Sequence, residues 1–197
     1  FPGRADRQSR PTGNAPRAQL FLARWCSPWP PEQKPGYDGE WPQGGTVRVI
    51  LINPPIDCVL ENGNASPVTS YLFYNSAPLG LLYIASVLEG AGHEVAAIDG
   101  AAEQLNVDGV VERVRLFKPD VIGIGSFTVS FETTRRLAAE LKAKLPDVPI
   151  VLGSYHVTLV PEEAMEDRNF DIGVLGEGEH TMLEVVNYYD NGGSLED

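Results

Sequence analysis

VIGIGSFTVSF, residues 121–131, is an apolar, β-branched run that stops at Ser126-Phe127-Thr128 with no acid, no lysine and no glycine-rich phosphate loop at the turn. A run of this kind, with Val and Ile on successive positions, fits a strand covered on both faces of a parallel sheet. What stands at its end then decides what the sheet edge is for.

Working outward, the same pattern recurs in VRVILIN (47–53), EVAAID (94–99), PIVLGS (149–154) and FDIGVLG (170–176), while DVIGIGS (120–126) contains the run quoted above. Between these runs the apolar period lengthens to that of a helix. Leu79, Leu82, Tyr83 and Ser86 share one helical face, as do Val107, Val110, Val111 and Val114. Thr134, Leu137, Ala138, Leu141 and Leu145 form a third stripe, and Met182, Val185, Val186 and Tyr189 a fourth, with a weaker helix expected over 160–167. Five β-α units in succession require right-handed crossovers and helices on both sheet faces. The expected fold is therefore α/β, a flavodoxin-like (Rossmann-like) doubly wound parallel sheet of five strands in the order 2-1-3-4-5. Ligands of such sheets bind outside the carboxyl ends of the strands, where the order reverses, between strands 1 and 3.

The chain has 197 residues and a formal net charge of -12. Residues 1–45 hold six Lys/Arg and four Asp/Glu, so the rest carries nine against twenty-three, an imbalance that argues against a nucleic-acid partner. The first 45 residues also contain eight of the sixteen prolines and all three tryptophans (Trp25, Trp29, Trp41), without sustained periodicity. They read as an extension or linker, 46–191 as the α/β domain and 192–197 as a tail. Cys26 and Cys58 are too far apart for a metal knuckle or a redox pair. The longest apolar run before residue 45, Leu20 to Ala23, is too short for a signal peptide or membrane span. The expectation is a cytoplasmic protein without a membrane partner, and a start at Phe1 suggests a processed or shortened chain.

Two ligand classes are excluded by chemistry. A receiver domain needs an acidic cluster after strand 1 and an Asp ending strand 3, where this chain has Asn53-Pro54-Pro55 and Ser126. A dinucleotide site needs G-x-G-x-x-G opening the first helix, and residues 54–77 contain nothing of the kind. Asp99, ending strand 2, then reads as a turn acceptor rather than a ribose ligand. The 54–77 connection is longer than most structureless loops and rich in Val, Leu, Tyr and Phe, which suits a cover over a large flat ligand. Small residues end the other strands: Ser126 and Thr128, then Gly153-Ser154, then Gly176-Glu177-Gly178-Glu179. Glycine there lets backbone approach a ligand closely, and hydroxyls supply short hydrogen bonds. A deep groove for a long, mostly neutral ligand follows. A flavodoxin-like module binding FMN, and a ligand-free interaction domain docking through its Trp/Pro-rich arm, stay open as alternatives.

The blocks VRVILINPP, APLGLLYIASVLEGAGHEVAAIDG, KPDVIGIGSFT, PIVLGSYHVTLVPEE and DIGVLGEGEHTMLEVV, in this order, resemble the cobalamin-binding domain that precedes the catalytic barrel of B12-dependent radical SAM enzymes. The resemblance runs from about Val47 to Val186. It implies that the dimethylbenzimidazole tail of cobalamin enters the sheet edge between strands 1, 3 and 4. Ser126-Phe127-Thr128 is similar to the family's Ser-x-Leu turn, with Thr128 in place of leucine and Ser126 bonded to the buried tail. Gly153-Ser154 is similar to its Gly-Gly, with Ser154 in place of the second glycine. Tyr155 and His156 follow on the same edge, Asn53, Pro54 and Leu79 would lie near the corrin, and Gly176 to Glu179 would line the far side of the tail. Corrinoid proteins that ligate cobalt from below use Asp-x-His-x-x-G in the first βα loop, and this loop has no histidine. His93 and His180 read as structural and surface residues. The implied cofactor is base-off cobalamin with no histidine ligand and no other protein metal site. The cluster-binding Cys triad of a radical SAM enzyme is also missing, so S-adenosylmethionine and [4Fe-4S] would belong to a catalytic domain or subunit outside this chain. Methyl transfer or oxidative ring closure is the implied chemistry, and no catalytic residue is assigned within residues 1–197.

Overall fold

The computed structural model describes residues 19–22, 45–55 and 77–191. The three tryptophans, both cysteines and most of the 54–77 connection lie outside the described residues.

Six parallel strands form one sheet: β1 (Gln19–Leu22), β2 (Arg48–Asn53), β3 (Glu94–Asp99), β4 (Val121–Gly125), β5 (Ile150–Gly153) and β6 (Ile172–Leu175). Their spatial order is β1-β6-β5-β4-β2-β3. The five strands expected from the sequence are β2 to β6, and among themselves they stand in the order 2-1-3-4-5. The sixth, β1, comes from the Pro-rich segment and adds to the free side of β6, Leu20 opposite Gly173. Four residues carry too little periodicity to mark a strand in advance.

Helices α1 (Leu79–Gly90), α2 (Val107–Phe117), α3 (Phe131–Lys144) and α6 (Glu179–Asp190) make the crossovers. The sequence shows where α2 begins and ends: the Asn106 side chain accepts from the Gly109 N–H at 2.9 Å, and Lys118 closes it in the left-handed region at φ 55°. Between β5 and β6 the single helix expected over 160–167 is instead two short ones, α4 (Tyr155–Leu159) and α5 (Pro161–Ala164). Pro161 divides them, because the residue before a proline is driven out of the helical region and Val160 sits at φ -136°.

Side chains alternate along each strand, so the sheet has two cores. Ile50, Ile52, Ile122, Ile124, Ile150 and Leu152 face α2 and α3, against Val110, Val114, Leu137 and Leu141. Val49, Leu51, Val121, Val151 and Val174 face α1 and α6, against Leu88, Met182 and Val186. Each such side chain contributes about 1.5–3 kcal/mol of burial. Three of the expected stripes face the core. The first, Leu79, Leu82, Tyr83 and Ser86, is inverted: α1 buries Leu88 and turns Leu81, Ile84 and Ala85 inward, whereas Leu79, Leu82 and Tyr83 are exposed.

The amino ends of the strands are tied by polar contacts. Arg48 pairs with Glu94 at 2.9 Å and lies over the Phe117 ring. Asp171 accepts from Lys142 at 2.6 Å and from the Ile150 N–H at 2.7 Å. His93 belongs to this edge too, its Nδ1 facing the Val47 N–H at 3.4 Å.

Candidate functional site

At the carboxyl edge, β2 ends in Asn53, β4 in Gly125 and β5 in Gly153, with Gly176 just beyond β6. Gly125 and Gly153 are partners in register, so two residues without side chains stand together at the centre of the edge. Above them opens a groove of about 500 Å³. Leu51, Gly123, Val151, Val174 and Met182 form its floor on the α1/α6 side of the sheet; Pro78, Leu79, Leu81 and Ile84 form one wall, and Gly176 to Glu179 another. Among the described residues a methyl group built on Gly153 would meet nothing within 4 Å, whereas one on Gly123 would strike Leu51 at 2.8 Å. Gly123 thus lets the floor close, and Gly153 keeps the groove open.

The groove is apolar below and acidic at its mouth. Among the described residues its lining includes Glu177 and Glu179 but no lysine, arginine or histidine. Asn53 is held by its Nδ2, which donates to Asp99 at 2.8 Å; Asp99 also accepts from the Ala102 N–H. Asp99 is therefore the turn acceptor that its position suggested.

The hydroxyls behind the edge are mostly engaged. Ser126 is fully buried, with its Oγ 3.1 Å from Thr134 Oγ1 and 3.2 Å from the Phe127 carbonyl. Thr128 Oγ1 lies 3.3 Å from His156 Nδ1, and the His156 ring packs tilted by 35° against Phe131 at 3.8 Å between centroids. His156 is buried and its Nε2 has no hydrogen-bond partner among the described residues. Burial pushes its pKa below the ordinary histidine value, against a smaller opposing pull from Glu163, so the ring favours the neutral form. Thr158 donates to the Ser154 carbonyl at 2.9 Å and accepts from the Gly176 N–H at 3.0 Å, tying the β5 turn to the β6 turn. Ser154 itself sits at φ 80°, ψ -164°, a region that glycine tolerates and other residues seldom enter.

Of the residues singled out in the sequence, Asn53, Leu79, Phe127, Gly153, Ser154, Tyr155 and Gly176 to Glu179 come together around the groove. Pro54, Ser126, Thr128 and His156 do not line it; they support the edge from behind. Phe127 and Tyr155 stack on each other at 5.5 Å and remain 48% and 65% exposed, which makes an aromatic rim. The sequence reading missed the floor residues, Thr158, and Gly123 with Gly125. A signal for the glycines was present, since two glycines on one face of a buried strand mark a close approach of another group. His93 lies at the far edge and His180 is exposed on α6, so none of the three histidines lines the groove.

The profile of the B12 binding domain matches residues 66–186. The chain belongs to the B12-binding domain family. Curated relatives of this B12-binding domain include the uncharacterized methyltransferase PH0819 of Pyrococcus horikoshii, 32% identical over 152 residues, covering 76% of this chain and 31% of that protein. Another is the anaerobic magnesium-protoporphyrin IX monomethyl ester cyclase of Rubrivivax gelatinosus, 32% identical, covering 77% of this chain and 26% of that protein. A third is the cytidylyl-2-hydroxyethylphosphonate methyltransferase of Streptomyces wedmorensis, 34% identical, covering 69% and 27%. The B12-binding domain described here thus spans between about a quarter and a third of the relatives' length.

Among solved structures, the cobalamin-dependent S-adenosylmethionine radical enzyme OxsB, with aqua-cobalamin and S-adenosylmethionine bound, matches with a TM-score of 0.58 at 19% identity, over 77% of this chain and 20% of that one. The receiver domain of RcsB from Salmonella enterica serovar Typhimurium matches at 0.50 and 12% identity, over 76% and 92%. Both show the shared fold. The B12-binding domain lacks the acidic residues of receiver chemistry, with Asn53-Pro54-Pro55 and Ser126 in their places. Among the described residues no group of three or more potential metal ligands occurs, and no helix is long and apolar enough to cross a membrane.

Proposed function

We propose that the groove holds cobalamin base-off, with its nucleotide tail between the ends of β2, β4 and β5 and no histidine beneath the cobalt. The observation that carries this reading is the pair of glycines in register at the centre of the edge, Gly125 and Gly153, where no atom of the described residues comes within 4 Å of a methyl group placed on Gly153. The donor set agrees. A corrinoid presents neutral amides around its ring, and Asn53, Glu177 and Glu179 are suited to meet amide groups at the mouth. An FMN phosphate would instead meet two carboxylates and no cationic side chain among the described lining residues, so the flavin reading is disfavoured. Leu79, Phe127 and Tyr155 would lie against the macrocycle, Gly153 and Ser154 beside the tail, and Gly176 to Glu179 on its far side. Pro54, Ser126, Thr128 and His156 would act as supports.

When bound, cobalamin supplies a cobalt that can carry a methyl group or an electron. The residues of this chain bind and orient it, and keep basic nitrogens away from its lower face. The iron-sulfur cluster, S-adenosylmethionine and the reacting substrate would be held by a catalytic domain or subunit beyond residues 1–197, in a methyltransferase or cyclase.

The test is uptake. The chain is mixed with hydroxocobalamin, desalted, and its visible spectrum recorded. Near one equivalent of retained corrinoid with a base-off spectrum supports the reading; colourless protein opposes it.

A further inference from the structure

Besides Ser130, whose hydroxyl bonds Phe127, four hydroxyl side chains cluster at the carboxyl edge near the groove, and three are committed to the protein. Ser126 bonds Thr134, Thr128 meets His156, and Thr158 bridges the Ser154 carbonyl and the Gly176 N–H. The fourth, Ser154, lines the groove, and its hydroxyl has no partner among the described residues. It is also the residue in the least favourable backbone conformation of the edge, at φ 80° and ψ -164°. The surroundings enforce that conformation from both sides. The Ser126 N–H donates to the Gly153 carbonyl at 3.1 Å, the His156 N–H donates to the Ser126 carbonyl at 3.1 Å, and Thr158 donates twice to the Ser154 carbonyl. A strained, non-glycine residue held this firmly in a cleft invites a functional reading. Its side chain stands beside the glycine floor, since a Cβ on Gly125 would come within 3.8 Å of the Ser154 Cβ.

We propose that Ser154 is a specificity residue for the lower base of a nucleotide-tailed corrinoid, its hydroxyl donating to an acceptor nitrogen on that base and its Cβ limiting the width of base admitted. This rests on the reading of the groove as a cobalamin site. A glycine would remove the strain but would leave the floor with neither a donor nor a stop. An alanine would keep the stop and lose the donor, so the two substitutions separate the roles.

The experiment compares the full chain with Ser154→Ala and Ser154→Gly, by equilibrium dialysis against three probes. These are hydroxocobalamin, cobinamide, which lacks the nucleotide, and a cobamide with a phenolic lower base, which lacks the ring nitrogen. Thermal melts check that each variant is folded, and Ser154→Gly should melt higher as its backbone strain is relieved. Ser154→Ala should lose about tenfold in affinity for hydroxocobalamin, the scale of one hydrogen bond, with cobinamide unchanged. It should also cease to distinguish hydroxocobalamin from the phenolic cobamide. Ser154→Gly should show the same loss for hydroxocobalamin and, lacking the Cβ, should bind a further probe, a cobamide with the wider naphthimidazole lower base, more tightly than Ser154→Ala does; equal binding of that probe by the two variants would overturn the role of the Cβ. Unchanged hydroxocobalamin affinity in both variants, or an equal loss for cobinamide, would overturn the assignment of Ser154. If the unmodified chain takes up neither hydroxocobalamin nor cobinamide, the reading of the groove itself fails.

Discussion

Gly153 is the residue on which the groove turns. A Cβ there meets no atom of the described residues within 4 Å, so Gly153→Val should unfold at a urea concentration close to that of the parent chain while its retention of hydroxocobalamin falls more than tenfold. A folded variant with undiminished retention would show that the tail lies elsewhere. His156 has a different effect, on stability. Its pKa is depressed by burial, so below about pH 6.5 the unfolded chain takes up a proton that the folded chain resists. Its stabilising contribution is full above that pH and declines as pH falls towards the folded value. Urea midpoints measured from about pH 7.5 down to 5 should therefore drop more steeply for the parent chain than for His156→Phe. Parallel curves would contradict the assignment. The small residues at the strand ends were legible in the sequence because each follows an apolar run. Which hydroxyl faces the groove was not, because Ser126 and Ser154 look alike in one dimension and differ only in what lies around them: Thr134 behind one, the groove beside the other.

At the scale of elements, α1 shows where periodicity fails. Leu79, Leu81, Leu82, Tyr83, Ile84 and Leu88 leave hardly any polar face, so the stripe of Leu79, Leu82 and Tyr83 was as plausible as its opposite. The sheet decides in favour of Leu81, Ile84 and Leu88, because those reach Leu51, Val49 and Met182. The consequence is measurable: Leu88→Ala should cost about 2–5 kcal/mol in urea unfolding, and Tyr83→Gln, at a position 63% exposed, less than about 0.5 kcal/mol. The reverse ranking would place the outward stripe in the core. α2 and α3 offered no such ambiguity, since Glu, Arg and Lys fill their outer faces and leave a single apolar stripe. The division of 155–164 into two helices was also readable in hindsight from Pro161, whose effect on Val160 is local and general.

For the whole molecule, the doubly wound sheet was legible because each parallel strand announces itself by continuous apolar residues and each crossover by a helical stripe. The sixth strand was not, because β1 owes its place to the free edge of β6 rather than to any pattern of its own. The site follows from topology: polar ties hold the amino ends of the strands, and the switch point at the other edge is left to glycine, serine and an apolar floor. None of the three histidines lines the groove, and the proposed cobalamin is therefore expected to keep no protein nitrogen on its cobalt. The most direct test is the electron paramagnetic resonance spectrum of hydroxocobalamin bound to the full chain, desalted and reduced to cob(II)alamin. The account predicts a bound, base-off signal without nitrogen superhyperfine splitting. A signal split by a coordinated nitrogen would contradict it, as would the absence of bound corrinoid.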